Sequence, residues 1–200
     1  MEAEATVEKV SIADYLAAER KSKTKHEYLD GIIIASYGAS ISHTIICSNL
    51  IALIWNLVRT GDFTVHSNDL KVYNSKKESY FYPDVVVIKG DAKATDKHQD
   101  VITNPYLIIE VLSESTEGYD SQSPLWGDKF QAYRTNESLQ SYVLVSQDKP
   151  LVEVFAKNSE SQLWTLSEAQ GLESNINLSP LNAEPALSDI FAKVKFAQNK

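Results

Sequence analysis

The sequence predicts an α+β fold in which helices flank a mixed β-sheet. Two short apolar runs rich in β-branched residues, 85–88 and 106–109, are typical of buried strands and are bounded by turn residues. A longer segment, 42–59, carries apolar residues at helical spacing. No repeat, linker or low-complexity tract divides the chain, so these elements are expected to form one domain.

Composition supports one domain and limits its partners. The 200 residues, 43% of them hydrophobic, suffice for a single core. We expect that core to span about residues 11–170, with a closing segment at 171–200. The formal net charge of −8 argues against a passive nucleic-acid-binding module, because non-specific binding relies on Lys and Arg neutralising phosphates. It argues less against a nuclease, whose acidic site is neutralised by bound metal.

The first elements are marked by their caps and turns. Ser11 is a suitable N-cap for a helix at 11–21, and Asp14 lies in the first turn, where the helix dipole favours an acid. The dipeptide Asp30-Gly31 has the sequence of a tight turn, which predicts a β-hairpin at 28–34.

The long helix at 42–59 is expected to pack in the core and not to cross a membrane. One apolar face recurs at steps of four, three and four residues: Ile46, Leu50, Leu53 and Leu57. Polar residues interrupt the segment: Ser42, His43, Asn49 and Asn56. The N-terminus lacks a secretory pattern. The single cysteine, Cys47, fits a reducing compartment, either as a small buried hydrophobic side chain or as a reactive thiol. We therefore expect a cytoplasmic protein without a membrane partner.

The remaining elements are assigned from the same patterns. The polar connection at 89–104 is long enough to be a mobile flap or a loop over the site. The other predicted elements are a strand at 63–73 with a polar break at 67–69, a turn at 74–79, strands at 80–88 and 106–112, a helix at 127–134, a hairpin of 141–146 and 152–155, a strand at 163–166 and a closing helix at 187–196.

Two acidic residues lie on the two apolar runs. Asp84 follows Pro83 and leads into one run, and Glu110 directly follows the other run and continues into Val111-Leu112. A buried carboxylate is costly to desolvate unless a positive group meets it. Two carboxylates on strands that are expected to pair therefore indicate a divalent cation, although Asp84 could also cap a turn and Glu110 could serve a structural ion pair. The leading interpretation is a metal-dependent hydrolase that cleaves phosphodiesters.

Mg²⁺ suits such a site because it prefers oxygen ligands and retains several waters. Asp84, Glu110 and the carbonyl of Val111 would be its ligands, with Mn²⁺ as a substitute. Asp69 interrupts an alternating strand, so it is either a third acid that faces the site or an acid outside it. His43, near the start of the long helix, either contacts phosphate or water or caps the helix. No nucleophile elbow, phosphate-binding loop or paired CxxC is present.

An ordered series of sequence blocks carries a family resemblance. Tyr-Pro-Asp-Val at 82–85 and Ile-Glu-Val-Leu-Ser at 109–113 resemble the PD-(D/E)xK nuclease superfamily, and more closely the Uma-type family of bacterial restriction endonucleases. The likeness covers most of the chain. It continues in the blocks 27–31, 38–43, 67–72, 110–116, 128–133 and 138–145.

The resemblance implies a restriction-endonuclease-like fold and a Mg²⁺-dependent endonuclease that acts on DNA. It implies that Asp84 and Glu110 hold the metal, with Glu27 as an accessory ligand or a surface acid. The lysine of the superfamily pattern is replaced by Leu112, and Lys129 on the following helix is the matching substitute. Enzymes of this superfamily often act as dimers, which implies a homodimer.

Two features keep an alternative function open. Residues 121–126 form an insertion relative to the family, so the tertiary structure decides whether Lys129 reaches the carboxylates. With Leu112 and the acidic net charge, this allows a catalytically inactive nuclease-fold protein that acts as a nucleic-acid-binding or interaction module. A third alternative is a structural protein in which the acids form buried ion pairs.

Overall fold

The computed structural model describes residues 9–36, 38–112 and 125–196, with the backbone alone for 125–128. Its α-helices are α1 (Ile12–Glu19), α2 (Ile41–Val58), α3 (Leu125–Tyr133) and α4 (Leu187–Ile190). Its strands are β1 (His26–Leu29), β2 (Ile32–Ala35), β3 (Phe63–Ser67), β4 (Lys71–Asn74), β5 (Ser79–Phe81), β6 (Val85–Lys89), β7 (Val101–Ile102), β8 (Leu107–Leu112), β9 (Ser141–Ser146), β10 (Leu151–Lys157) and β11 (Trp164–Gln170).

The strands form two mixed sheets, not the single central sheet that the sequence predicts. The five-stranded sheet has the order β2-β1-β5-β4-β7, and the six-stranded sheet has the order β11-β10-β9-β8-β6-β3. Each sheet contains one parallel pair, β4 with β7 and β8 with β9. The predicted α+β class with mixed pairing is confirmed, and the number of sheets is the correction.

The second sheet arises because two predicted strands each divide between the sheets. The strand predicted at 63–73 divides at its polar break into β3 and β4. The strand predicted at 80–88 divides at Tyr82-Pro83-Asp84 into β5 and β6. Pro83 has no N–H for a ladder, so the pairing ends there and the chain can pass from one sheet to the other.

The six-stranded sheet has a helix on each face, as predicted. On one face, α2 packs over Val85, Val87, Leu107 and Ile109. The opposite face carries Val86, Ile88 and Ile108 and packs against α3 through residues that include Ala132 and Tyr133. This alternation follows from the two-residue period of a strand, and it points Glu110, two residues after Ile108, toward α3.

The caps and the first hairpin match the sequence predictions. The Ser11 side chain accepts a hydrogen bond from the Asp14 amide at the start of α1. The chain turns between β1 and β2 at Asp30 and Gly31, whose φ angles of 45° and 89° suit this dipeptide.

The apolar face of α2 differs in part from the prediction. Ile46 and Leu50 are buried, but the buried row continues through Ile54 and Val58, whereas Leu57 is 44% exposed. A row of residues four apart is inclined to the helix axis, and a helix that lies across a twisted sheet buries such a row. By length and mean hydropathy (1.6), α2 could span a bilayer; its four buried residues here belong to the core.

Two other segments differ from their predicted form. The closing helix α4 ends at Ile190 and is shorter than predicted. Asn49 of α2 donates hydrogen bonds to the carbonyls of Ile190 and Ala192, where the helix ends. The connection at 89–104 includes β7, which pairs with β4. The structure therefore ties this connection to the five-stranded sheet. Residues 121–124 of the predicted insertion lie outside the described residues.

An ion-pair group attaches the same connection to α1. The carboxylate of Asp100 accepts from Arg20 Nη2 at 2.9 Å and from Lys71 Nζ at 2.9 Å. The side chain of Lys71 is only 4% exposed. Hydrogen bonding by Arg20, with Lys71 adding to it, holds the pKa of Asp100 well below its usual range.

Asp100→Asn is expected to lower the free energy of unfolding by about 1–3 kcal/mol at neutral pH, because it leaves Lys71 without its charged partner. A depressed carboxyl pKa contributes stability above the pKa of the unfolded chain, about 3.9, and this contribution is lost as the pH falls below it. Urea unfolding at neutral and acidic pH measures both effects. Asp91→Asn, on the exposed part of the connection, is the control. Equal losses in the two variants would contradict the assignment.

Candidate active site

Four ionisable side chains converge where the chain passes between the two sheets. Glu27 comes from β1 in the five-stranded sheet, and Asp84 ends the Tyr82–Asp84 crossing. Glu110 comes from β8 in the six-stranded sheet, and Lys129 comes from α3. The site is therefore assembled from both sheets and the helix.

Lys129 joins two of the carboxylates. Its Nζ donates to Glu27 Oε1 at 2.7 Å and lies 3.6 Å from Glu110 Oε1. The exposed fractions of the three side chains are only 10%, 11% and 3%, respectively. The Tyr82 amide also donates to Glu27 Oε1, at 3.3 Å, so the crossing segment fixes the Glu27 side chain.

Glu110 is the most buried acid of the group. Burial raises the pKa of Glu110 to about 8; Lys129 opposes this increase, whereas the charges of Asp84 and Glu27 add to it. The Tyr133 hydroxyl donates to Glu110 Oε1 at 3.0 Å. Burial and two neighbouring acids thus make a second cation beside Glu110 favourable.

Both oxygens of Asp84 are held. Oδ2 accepts from the Val111 amide at 2.8 Å, and Oδ1 lies 3.0 Å from Nε2 of His43. The antiparallel pairing of Val85 with Ile109 places Asp84 opposite Glu110 one step further along the ladder. The two acids that the sequence singled out therefore lie opposite each other on neighbouring strands.

Lys129 is held in its charged form. Burial alone would lower the pKa of its ammonium, but Glu110 and Glu27 outweigh this effect and raise the pKa above its ordinary value. Its Nζ also lies 5.5 Å from the ring centre of Phe81. A fixed ammonium beside buried carboxylates can orient a water or stabilise developing negative charge.

The donor set fits a hard divalent cation. Glu27, Asp84 and Glu110 supply carboxylate oxygens, the ligand type that Mg²⁺ and Mn²⁺ prefer. When all three acids are ionised they carry more negative charge than Lys129 neutralises, so a bound cation would stabilise their charged forms.

The structure brings most of the predicted site residues together, but not Asp69. The Asp69 side chain is 80% exposed and pairs with Lys25 at 2.7 Å. None of the contacts of the described residues joins it to Asp84 or Glu110. The turn between β3 and β4 directs it to solvent, and we leave it out of the ligand set proposed below.

Two tyrosines at the site were missed by sequence reasoning. Tyr133 lies one helical turn after Lys129, so the four-residue spacing could have placed it on the same face of α3. Tyr142 of β9 is 1% exposed, and its hydroxyl has no hydrogen-bond partner within the described residues. Its ring packs on Tyr133, with centroids 5.6 Å apart. Tyr142 shows no distinctive pattern in a single sequence.

Cys47 is not a nucleophile of this site. Burial raises the pKa of its thiol, and the charges of Asp84 and Glu110 raise it further. A protonated thiol is a weak nucleophile. This agrees with the absence of a nucleophile motif from the sequence.

The fold belongs to the restriction-endonuclease-like class. The chain is similar to the crystal structure of a putative nuclease belonging to DUF820 from Anabaena variabilis ATCC 29413, with a TM-score of 0.70. The similarity covers 90% of this chain and 96% of that chain at 16% sequence identity, so it shows the fold alone.

The family model "Uma2: Putative restriction endonuclease" matches residues 12–188, and the chain belongs to this family. Two proteins of Synechocystis sp. (strain ATCC 27184 / PCC 6803 / Kazusa) are close in sequence. Uncharacterized protein sll1609 is 37% identical over 175 residues, covering 88% of this chain and 96% of the relative. Uncharacterized protein slr1290 is 34% identical over 190 residues, covering 94% of each. The resemblance inferred from the sequence blocks is confirmed.

Proposed function

We propose that this protein is a metal-dependent endonuclease that hydrolyses DNA phosphodiester bonds. The observation that carries the proposal is the buried ammonium of Lys129 between Glu27 and Glu110, with Asp84 hydrogen-bonded to the next residue of the strand, Val111. Membership in a family described as restriction endonucleases supports the choice of DNA as substrate.

Asp84 and Glu110 are the proposed ligands of Mg²⁺, for which Mn²⁺ can substitute. Glu27 is the proposed accessory ligand, and the carbonyl of Val111 is a candidate for a further position. A divalent cation bound there would polarise the phosphoryl oxygen and lower the pKa of an attacking water. The Val111 amide keeps Asp84 in place, and the Tyr133 hydroxyl keeps Glu110 in place.

Lys129 is the proposed charge-stabilising group. It replaces the lysine that the superfamily pattern has at the position of Leu112, because α3 brings its ammonium to within 3.6 Å of Glu110. From this position the ammonium can orient the attacking water or neutralise charge that develops on the phosphate.

We place this activity in the cytoplasm. We also propose a homodimer, since cutting both strands of a DNA duplex requires two active sites. The aromatic residues Tyr80 and Phe81 are 4% and 0% exposed and belong to the core, so they do not supply the dimer interface. Trp55 and Leu57 on the outer face of α2 are 49% and 44% exposed and are better candidates. A monomeric mass by light scattering at working concentration would rule out the dimer.

Wild-type protein is expected to nick supercoiled plasmid with Mg²⁺ or Mn²⁺ and to lose this activity in a chelator. Asp84→Ala is expected to lose calorimetric binding of Mn²⁺ together with nicking, since it removes one ligand of the metal. Far-ultraviolet circular dichroism checks that the variant is folded. Asp69→Ala is the matched control, because that acid is exposed and paired with Lys25. It should bind and cut as wild type does.

The same assay distinguishes the alternative functions. A folded Asp84→Ala protein that still cuts would refute the assignment of the site. Wild-type protein that binds DNA equally with and without Mg²⁺ and never cuts would indicate a non-catalytic nuclease-fold module. The acidic net charge and the replacement of the pattern lysine by Leu112 would then account for the lack of cleavage.

A further inference from the structure

A second group of potential ligands lies on the α2 side of Asp84. His43 and Cys47 are one helical turn apart on α2, and Asp84 faces both. A ring nitrogen of His43, the Cys47 sulfur and an Asp84 carboxylate oxygen all lie within 4.8 Å of one another. Neither His43 nor Cys47 is a proposed ligand in the carboxylate site, where His43 only contacts Asp84.

Packing fixes these side chains. The Ser40 side chain caps α2 by accepting from the His43 amide. Ile46 and Leu50, which flank Cys47 in the helix, are 0% and 2% exposed against the sheet. The His43 and Asp84 side chains are only 15% and 12% exposed. The arrangement is therefore part of the fold and not a chance meeting of surface side chains.

The donor chemistry differs from that of the carboxylate site. An imidazole nitrogen, one carboxylate oxygen and the Cys47 sulfur, whose thiol would release its proton to solvent when a cation binds, form a softer set than three carboxylates. Zn²⁺ accepts all three donor types, and three protein ligands with one open position are common in its tetrahedral sites. Mg²⁺ is a poor match, because it demands oxygen ligands.

We propose that His43, Cys47 and Asp84 form a binding site for Zn²⁺ or a similar thiophilic divalent cation, next to the carboxylate site and sharing Asp84 with it. Donor atoms around tetrahedral Zn²⁺ are about 3.3–3.5 Å apart, as follows from bonds of about 2.0–2.3 Å. His43 Nε2 and Asp84 Oδ1 are already 3.0 Å apart. The three donor atoms lie within 4.8 Å of one another, so the sulfur has at most about 1.5 Å to move, a gap that rotation of the Cys47 side chain together with small shifts of His43 and Asp84 can close.

A hydrogen bond between His43 and Asp84 would by itself explain two of the three positions. In that case Cys47 would be only a core side chain that packs with Ile46 and Leu50. The two interpretations differ in one observable, since only a metal site forms a bond between a metal and the Cys47 sulfur.

Titration of the metal-free full-length protein with Co²⁺, a spectroscopic substitute for Zn²⁺, makes this bond visible. We expect one equivalent to give a thiolate-to-cobalt charge-transfer band together with the intense visible bands of tetrahedral Co²⁺, and Zn²⁺ to remove both. Since the chain has a single cysteine, a thiolate band reports Cys47. Absence of the band in the wild-type protein would overturn the proposal.

Variants assign the remaining ligands. Cys47→Ser, which is nearly isosteric, should lose the thiolate band, and Cys47→Ala should lose it too if the serine variant folds poorly. His43→Gln should weaken Co²⁺ binding by at least about tenfold, because even the loss of an outer-shell partner has that effect. Persistence of the thiolate band in both Cys47 variants, or unchanged affinity in His43→Gln, would contradict the ligand set.

Two controls separate this site from others. Glu110→Gln should keep the thiolate band, because Glu110 belongs only to the carboxylate site, and loss of the band would show that the two sites are not distinct. His66→Gln should bind Co²⁺ as wild type does, since that histidine contacts Thr64 on β3 instead. The spectroscopic readout does not require DNA cleavage, so the proposal stands or fails independently of the nuclease activity.

Discussion

Replacing Glu110 with Gln is expected to lower the rate of metal-dependent DNA cleavage by at least about a thousandfold, because a lost metal ligand removes several kcal/mol of transition-state stabilisation. The fold should remain intact. Gln has nearly the shape of Glu and can still accept from the Tyr133 hydroxyl, and Lys129 keeps its 2.7 Å contact with Glu27. Plasmid nicking and urea unfolding of the same preparation measure the two quantities.

The stability result distinguishes a ligand from a structural ion pair. If Glu110 is mainly a ligand, burial and the charges of Asp84 and Glu27 outweigh its attraction to Lys129 when no metal is bound, so Glu110→Gln should unfold at the same or a higher urea concentration. If Glu110 serves mainly as the partner of Lys129, breaking that pair should destabilise the protein by about 3–5 kcal/mol. Mn²⁺ should raise the stability of the wild type and not that of the variant. Equal effects of Mn²⁺ on both proteins would remove Glu110 from the ligand set.

Lys129→Met should impair both stability and cleavage. The change leaves Glu27 and Glu110, which as whole residues are 8% and 3% exposed, without the ammonium that now joins them. An uncompensated buried charge of this kind costs about 3–5 kcal/mol. Cleavage should fall by about a hundred- to a thousandfold, as for the loss of one preorganised charge-stabilising group. Urea unfolding and nicking at saturating Mn²⁺ provide the measurements.

A second substitution tests the cause of that instability. If repulsion between the two acids is responsible, Lys129→Met combined with Glu27→Gln should regain much of the lost stability without regaining cleavage. Lys97→Met, at an exposed lysine of the 89–104 connection, should change the free energy of unfolding by no more than about 0.5 kcal/mol. A Lys129→Met protein as stable as the Lys97→Met control would mean that the buried carboxylates do not depend on Lys129.

Local patterns predicted the elements well where neighbouring residues decide them. The Ser11 cap, the Asp30-Gly31 turn and the hairpin of β9 and β10 follow from residues that are adjacent in sequence, and all three are present. The division into two sheets was missed. Continuous apolar patterning across Tyr82–Asp84 looks like one strand, and only the pairing partners of each half show that the chain changes sheets there.

The candidate site shows the same division between local and distant information. The apolar surroundings of Asp84 and Glu110 marked both acids as unusual before any contact was known. The sequence could not decide between Glu27 and Asp69, because both are acids next to strands. Burial of Glu27 against Lys129 and exposure of Asp69 beside Lys25 follow from the packing of distant elements.

By itself, the sequence determined the α+β class and the family and predicted the two central acids, because periodicity, turn residues and ordered motifs are local properties of the chain. Only the tertiary structure decided that Lys129 reaches Glu110 and Glu27, that Tyr133 and His43 hold the acids, and that Cys47 lies beside Asp84. Lys129 and Glu27 are 102 positions apart in sequence. Their contact depends on how two sheets and a helix pack. Burial then strengthens the electrostatic interaction between these charges, and no local pattern in the sequence encodes that burial.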